Sequence, residues 1–205
     1  MRKILLLLLV VPSFAYSQPL KIKNNYSGVF SLGIRSTVST FNGGGHSNNG
    51  FGVGGQFRIQ FADRINTDWF FDYITTDISD YANRKDYHIG WSVLYYLTKK
   101  PNTLIKPYIL AGHCFDYTVV ASNIDAANNV SRLSSAVQAG GGLHFNLSER
   151  IDLTFVSQYM IHLGQDIHAH RNTDGSVRID KESGSGLEGH LLMHVGINYK
   201  IADLW

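Results

Sequence analysis

The sequence is poor in the residues that usually stabilise an exported chain or carry it through a membrane as a helix. It has one cysteine and four prolines among 205 residues. A single cysteine, Cys114, excludes an intrachain disulfide, so other interactions must stabilise the fold. The longest apolar run, residues 4–11, is too short for a transmembrane helix, which needs about 20 residues.

Neither sign of charge is in large excess. Lys and Arg together number 18, and Asp and Glu together number 16. Nucleic-acid-binding proteins typically carry a clear basic excess. We therefore expect no nucleic acid among the partners of this protein.

The first residues have the order of a secretory signal peptide. Two basic residues precede the apolar run, and a small-x-small sequence follows at residues 15–17. This order predicts cleavage after Ser17. We predict that residues 1–17 are a cleaved signal peptide and that residues 18–205 form one exported domain. Because the residue directly after the cleavage site is Gln18 and not a cysteine, no lipid anchor is expected.

Beyond the signal peptide, apolar and polar residues alternate with period two. In the clearest segment the apolar Phe57 and Ile59 flank Arg58. Such alternation places successive side chains on opposite faces of a strand. A transmembrane strand needs about 9–11 residues. Eight segments of about this length are predicted as strands: 26–39, 51–62, 68–78, 86–98, 105–119, 135–147, 151–163 and 187–201.

The connections between these segments alternate in length. Short turns are predicted near residues 62–67, 97–104 and 146–151. Mostly longer connections, rich in Gly, Asn, Asp and Ser, are predicted near residues 41–50, 77–85, 116–133 and 165–186. Outer-membrane barrels have this arrangement, with periplasmic turns and external loops. The predicted fold is therefore all-β, an eight-stranded antiparallel up-and-down transmembrane β-barrel, and we expect a monomer with both termini in the periplasm.

One face of the predicted strands is apolar and the other is polar but poor in Lys and Glu, which favours a closed lumen over a water-facing surface. Only residues 105–119 are ambiguous in phase, with Ile109 and Ala111 favoured as outward-facing. The lumen polar network is predicted to comprise Arg35, Arg58, Asp72, His88, Gln138, His144, Asp152, Gln158, His162, His190 and His194. The lipid-facing residues are predicted to include Phe57, Ile59, Trp91, Val93, Leu153, Phe155, Val195 and Ile197. A soluble lipocalin-like ligand-binding barrel, with its apolar face inward, is the alternative.

The end of the chain carries a polar residue, a glycine, an aromatic and an aliphatic residue at characteristic spacing. These positions are His194, Gly196, Tyr199 and Ile201, and the chain ends on the aromatic Trp205. The pattern resembles the C-terminal assembly signal of outer-membrane barrels, although Trp205 lies four residues beyond Ile201. The barrel-assembly machinery would recognise such a segment by pairing with it as an added strand.

Taken together, the signal peptide, the eight strands and this C-terminal pattern resemble the small porin-like outer-membrane β-barrel domain family, of the OmpA transmembrane-domain or OmpX type. Residues 106–112 and 140–150 also fit that family. The resemblance implies the fold and a location in the cell outer membrane, in contact with lipid and lipopolysaccharide. It implies little about function, because one fold can serve many functions.

No residue is assigned to catalysis, to a cofactor or to a metal ion. Eight strands enclose an interior that side chains can fill, so a general diffusion porin is disfavoured. We expect a non-enzymatic structural or surface-interaction role, through external loops whose partner the sequence does not identify. A narrow porin-like channel is the alternative.

An outer-membrane lipid A-modifying enzyme is a less favoured alternative. The sequence His46-Ser47-Asn48 only faintly resembles the motif of that family, and it lies in the first loop. The lumen histidines are interpreted as members of a hydrogen-bonded network, with a pH-sensitive or metal-binding role as the alternative. His168 and His170 are interpreted as residues of a solvated loop, with metal binding as the alternative.

Overall fold

The computed structural model describes most of the predicted exported domain. The described residues are 27–41, 49–100, 103–125, 127–182 and 189–205. The predicted signal peptide, residues 1–17, and the His46-Ser47-Asn48 sequence lie outside these ranges. Within them, no helix has the length and apolar character needed to cross a membrane.

Eight of the ten described strands close into one antiparallel barrel. The strands are β1 Val29–Phe41, β2 Asn49–Ala62, β3 Ile65–Ile78, β4 Ala82–Tyr96, β5 Ile105–Ser122, β6 Asn129–Asn146, β7 Ile151–Leu163, β8 Asp166–Arg171, β9 Val177–Glu182 and β10 Gly189–Asp203. Their order in the barrel is β1-β10-β7-β6-β5-β4-β3-β2, with β2 pairing back to β1, while β8 and β9 form a separate two-stranded sheet. The predicted all-β, eight-stranded antiparallel barrel is confirmed.

The two ends of the barrel have different connections. The turn end carries residues 63–64, the described residues 97–100 and 103–104, and residues 147–150. The loop end carries the turn at residues 79–81, the described residues 123–125 and 127–128, and the β8–β9 hairpin. The two terminal strands meet at the turn end, where Val29 pairs with Asp203.

The alternation in the sequence corresponds to alternation across the barrel wall. In β2, Phe57 faces outward while Arg58 is buried in the lumen. In β5, whose phase was ambiguous, Ile109 and Ala111 face outward and Leu110 faces inward. Closure of the sheet pairs every barrel strand on both sides. No strand edge is left with unpaired backbone N–H and C=O groups, for which lipid offers no hydrogen-bond partners.

Two predicted loops are shorter than expected because the strands pair further toward the loop end. β5 and β6 remain paired as far as Ala121 and Asn129, so the predicted connection at 116–133 is reduced to residues 123–128. The predicted loop at 77–85 is a turn of three residues. The residues involved are mostly polar, and pattern alone assigned them to loops although their backbones form ladder hydrogen bonds.

The longest predicted loop, residues 165–186, contains the β8–β9 hairpin, whose two strands the sequence analysis did not predict. Gly175 has a φ of 87°, which glycine adopts at little cost, and it reverses the chain between the two strands. Ile167 and Ala169 of β8 lie on the same face as Val177 and Ile179 of β9. Each strand has only six residues, too few for period-two alternation to stand out in the sequence.

The lumen also contains an apolar layer that the sequence analysis did not predict. Its members are buried side chains from five strands: Phe70, Ile74, Cys114, Ala136, Met160 and Leu192. The sequence analysis predicts a polar lumen. An apolar residue on the inner face weakens the alternation of its strand but gives no separate sign that it faces inward. The layer lies between charged groups on either side, so the lumen is packed with both kinds of side chain.

Candidate functional site

The eleven side chains predicted to form the lumen network all lie inside the barrel, and all are buried. They do not form one cluster. Instead they occupy successive levels between the turn end and the loop end, with the apolar layer among them. The lumen is therefore the candidate site, and its levels are described here from the turn end upward.

Nearest the turn end, Arg58 is the centre of a network that crosses the lumen. Its Nη2 lies 2.7 Å from both carboxylate oxygens of Asp152. Its Nη1 donates to Nε2 of His144 at 2.7 Å, and because a guanidinium only donates, that imidazole nitrogen is the acceptor. The hydroxyl of Tyr96 contacts the other ring nitrogen at 3.2 Å, and Lys106 lies over the Tyr96 ring at 3.7 Å.

A small cavity of about 20 Å³ lies beside this network. Its walls include Arg58, Lys106 and Lys200. A space of this size accommodates about one water molecule. The cavity can therefore hold a single bound water molecule, but it is too small for a solute to pass through.

One level above, Arg35 of β1 holds Asp72 of β3 through two contacts. Its Nε lies 2.6 Å from one carboxylate oxygen, and its Nη2 contacts the other. The guanidinium also lies over the ring of Phe70, with 4.2 Å between Cζ and the ring centroid. At about the same depth Gln138 bridges Ser92 and Gln158 by hydrogen bonds of 2.7 and 2.9 Å.

Nearest the loop end lies a group that we call the loop-end cluster: Asp86, His88, Asp116, His162 and His190. Asp116 is its centre. Nδ1 of His162 lies 3.0 Å from one of its oxygens, Nε2 of His88 lies 3.4 Å from the other, and Arg132 donates to it at 3.1 Å. His162 also contacts His190 through the two Nε2 atoms. All five side chains are buried.

The two carboxylates of the loop-end cluster each face an arginine. Asp86 accepts hydrogen bonds from Nε of Arg84 at 2.9 and 3.0 Å, and Asp116 accepts from Arg132. The hydroxyl of Thr118 lies between the carboxylates, 2.7 Å from Asp86. The cluster together with Arg84 and Arg132 is therefore close to electrically neutral when its imidazoles are neutral.

The β8–β9 hairpin packs over the loop end above this cluster. Its apolar face contacts residues at the ends of β3 to β6; the joint cluster comprises Ile78, Tyr81, Ala82, Val120, Val130, Ile167, Ala169, Val177 and Ile179. The Tyr81 hydroxyl donates to the Ala169 carbonyl at 3.1 Å. Arg132 donates to the Gln165 carbonyl at 2.5 Å as well as to Asp116, so it joins the base of the hairpin to the loop-end cluster.

Near the loop end, sequence reasoning missed four charged members of the lumen: Arg84, Asp86, Asp116 and Arg132. All four are buried. Asp86 and Asp116 face inward from β4 and β5. The sequence pattern places the loop-end residues of both strands in loops, and it leaves the phase of β5 ambiguous. The available signal was that Asp86 is two residues from His88, which puts both on one face of β4.

The side chains predicted to face lipid lie on the outer face of the barrel. Large aromatic side chains form rows across neighbouring strands there. Phe57 stacks on Trp69 with 5.9 Å between ring centroids, and Trp69 is 6.3 Å from Trp91. At the turn end, Arg150 donates to the hydroxyl of Tyr199 at 3.0 Å. An apolar surface with polar anchors at its rim suits a bilayer and its interface.

The residues of the predicted assembly signal divide between the two faces of β10. The polar residue and the glycine lie on the inner face and the aromatic and aliphatic residues on the outer face: His194, Gly196, Tyr199 and Ile201. Trp205 follows the strand, where its ring is 6.0 Å from that of Phe61 and its Nε1 donates to Ser27 at 2.8 Å.

Comparison with known proteins agrees with this architecture. The family model of the outer membrane protein β-barrel domain matches residues 4–200. No curated protein sequence matches.

Solved structures share the fold at low sequence identity. Neisserial surface protein A is 14% identical with a TM-score of 0.59, covering 83% of this chain and 96% of its own. Ail, the attachment invasion locus protein of Yersinia pestis, is 16% identical with a TM-score of 0.52, covering 84% and 98%. A major outer membrane protein from Thermus thermophilus is 10% identical with a TM-score of 0.52, covering 83% and 98%. At these identities the likeness establishes the fold alone.

Proposed function

We propose that this chain, which belongs to the outer membrane protein β-barrel domain family, is a closed, non-conducting and non-enzymatic barrel. In this proposal it contributes to the outer membrane as a structural protein and presents the β8–β9 hairpin to the outside. The turn end faces the periplasm and the loop end faces the exterior, as in other barrels with short periplasmic turns. Lipid and lipopolysaccharide are its surroundings, and it acts as a monomer.

The observation that carries this proposal is the ion pair between Arg58 and Asp152. The pair joins strands that are not neighbours in the sheet, so it crosses the lumen rather than following its wall. Arg35 and Asp72 form a second buried pair, and the apolar layer fills space between charged levels. A hydrated path would have to pass all of these groups, and eight strands leave no spare width.

Conductance across planar lipid bilayers tests the absence of a pore. We expect the folded protein to give no stable unitary currents. The double variant Arg58→Ser with Asp152→Ser widens the same level of the lumen and serves as a matched comparison. Stable unitary currents from the wild-type protein would favour the narrow porin-like channel instead.

A surface role is supported by the hairpin, which exposes polar groups on the side away from the barrel. His168 pairs with Asp180 and His170 with Arg178 across β8 and β9, opposite the apolar face. The structural neighbour from Yersinia pestis is named for attachment and invasion. Cells that produce the protein with residues 166–182 replaced by a short glycine linker should lose any adherence that the wild-type protein confers. Unchanged adherence would contradict a role for the hairpin.

Export and assembly complete the proposal. The amino-terminal sequence of the protein from purified outer membranes should begin at Gln18. Unboiled samples should migrate faster than boiled samples on a gel, as closed barrels resist detergent unfolding. Recovery in the soluble periplasmic fraction without this shift would contradict the outer-membrane location.

A further inference from the structure

We propose that the loop-end cluster binds one divalent transition-metal ion through His88, Asp86 and Asp116. The sequence assigned no metal ligands, and the outer-membrane role does not require any. The proposal rests on the positions of these three side chains in the lumen. It is independent of whether the barrel conducts.

The ligand atoms are already gathered by the strand register. His88 of β4 is the direct cross-strand partner of Asp116 of β5, and Asp86 lies two residues before His88 on the same face. One ligand atom from each of the three residues lies within 4.8 Å of the others. Ligands about 2.0–2.2 Å from a shared ion lie within about 4.4 Å of each other, so small side-chain rotations suffice.

A second observation points to a missing ligand at the same place. His88 is fully buried, yet neither of its ring nitrogens makes a hydrogen bond within the described part of the chain. Its Nε2 faces the Asp116 carboxylate at 3.4 Å, beyond the length of a good hydrogen bond. Buried imidazoles normally have partners, and an ion between Nε2 and the carboxylates would supply one.

The donor set defines the class of ion. One imidazole and two carboxylates suit Zn²⁺ and similar first-row divalent ions, whereas Ca²⁺ and Mg²⁺ favour oxygen ligands alone. Nδ1 of His162 lies 3.0 Å from Asp116 and can either orient that carboxylate or join the ion as a second imidazole. The Thr118 hydroxyl also lies 3.2 and 3.1 Å from the two carboxylate oxygens of Asp116.

The two arginines set the strength of binding. Arg84 already neutralises Asp86, and Arg132 neutralises Asp116, so an incoming ion competes with both guanidinium groups. Removal of one competing charge should therefore tighten binding, because buried charges interact strongly. A network with a purely structural role would respond to the same change by losing stability and would gain no affinity for metal.

The test is a calorimetric titration with Zn²⁺ of the folded, chelator-treated protein in detergent micelles. It measures the number of ions bound per chain and their affinity. Co²⁺ replaces Zn²⁺ in a parallel experiment, because its visible d–d absorption reports nitrogen and oxygen coordination. We expect one ion per chain. H88N should weaken binding about tenfold or more, and R84Q should tighten it about tenfold. H113N, which changes a histidine on the outward-facing side of β5, should leave the affinity unchanged.

Heat-modifiable gel mobility establishes that each variant is folded before titration. Failure of the wild-type protein to bind, or equal affinity in H88N, would overturn the proposal. Loss of binding only in the double variant H168N/H170N would also overturn it, because the ion would then lie on the hairpin. Weaker binding by R84Q would do the same, since it would show that Arg84 does not compete with the ion for Asp86. If H88N does not fold, the Co²⁺ spectrum of the wild-type protein and the R84Q affinity decide.

Discussion

Arg58 and Asp152 form an ion pair from strands β2 and β7, which are separated in the barrel by β1 and β10. The two residues are 94 positions apart in the chain. Asn198 also donates to Asp152 at 3.1 Å, and Gln56 donates to Asn198 at 2.5 Å, so the pair is embedded in further hydrogen bonds. Such a network ties opposite sides of the barrel together at one level.

Replacement of Asp152 by Asn should destabilise the barrel. The change leaves the buried guanidinium of Arg58 without its counter-charge, which typically costs about 3–5 kcal/mol. Urea titration in lipid vesicles, followed by gel mobility, measures the effect. Glu149→Gln, at an exposed position in a turn, is the matched control and should have no effect. Equal stability of the two variants would show that the pair does not contribute.

Replacement of Gly54 by Ala should also be destabilising. A β-carbon at this inward position would meet the Asp72 carboxylate and the Phe71 carbonyl, so the Arg35–Asp72 pair would have to shift. Overpacking of this kind costs about 1–3 kcal/mol. The adjacent Gly55 faces outward, where the nearest atom to an added β-carbon is 3.9 Å away. Gly55→Ala should therefore be tolerated in the same unfolding experiment, and a reversed order would contradict the assigned faces.

Replacement of Val195 by Arg should destabilise the barrel in a bilayer. Val195 is exposed on the outer face near the middle of β10, where a charge would contact hydrocarbon. The expected cost is about 2–4 kcal/mol. Ile124 is a similarly exposed apolar residue in the connection between β5 and β6, and Ile124→Arg should have little effect. If both variants unfold at the same urea concentration in vesicles, the outer face does not contact lipid.

Replacement of Ile179 by Asn should release the β8–β9 hairpin without unfolding the barrel. Ile179 is buried against the loop end, whereas Arg178 on the same strand is exposed. Limited proteolysis of the hairpin should be about tenfold faster in Ile179→Asn, which corresponds to about 1.4 kcal/mol in the opening equilibrium. Arg178→Asn is the control and should resemble the wild-type protein. Loss of heat-modifiable mobility in Ile179→Asn would instead make the hairpin part of the barrel's cooperative unit.

Replacement of Tyr199 by Ala should reduce the amount of folded protein in the outer membrane of living cells several-fold, if the C-terminal pattern is an assembly signal. Refolding of the same variant in detergent should be much less affected, because no machinery takes part. Tyr159→Ala changes another outward-facing tyrosine, on β7, and is the matched control. Equal losses for the two tyrosines in cells would indicate a structural contribution alone.

Much of the architecture could be predicted because a barrel wall imposes a local rule. Each strand separates two environments, so a residue such as Phe57 and its neighbour Arg58 differ in polarity, and this difference is visible without knowledge of the partner strands. The rule was weaker where both faces are apolar, as around Phe70 and Ile74. It did not detect the six-residue strands of the hairpin, whose alternation is too short.

The sequence by itself determined the number of barrel strands, their antiparallel order and the predicted faces, because these depend on local alternation and on the lengths of connections. Only the tertiary structure decided which side chains meet inside. The level at which Arg58 reaches Asp152, or His88 reaches Asp116, depends on how the strands are staggered when the sheet closes. Stagger is a property of the whole closed barrel, so no single segment of the sequence contains it.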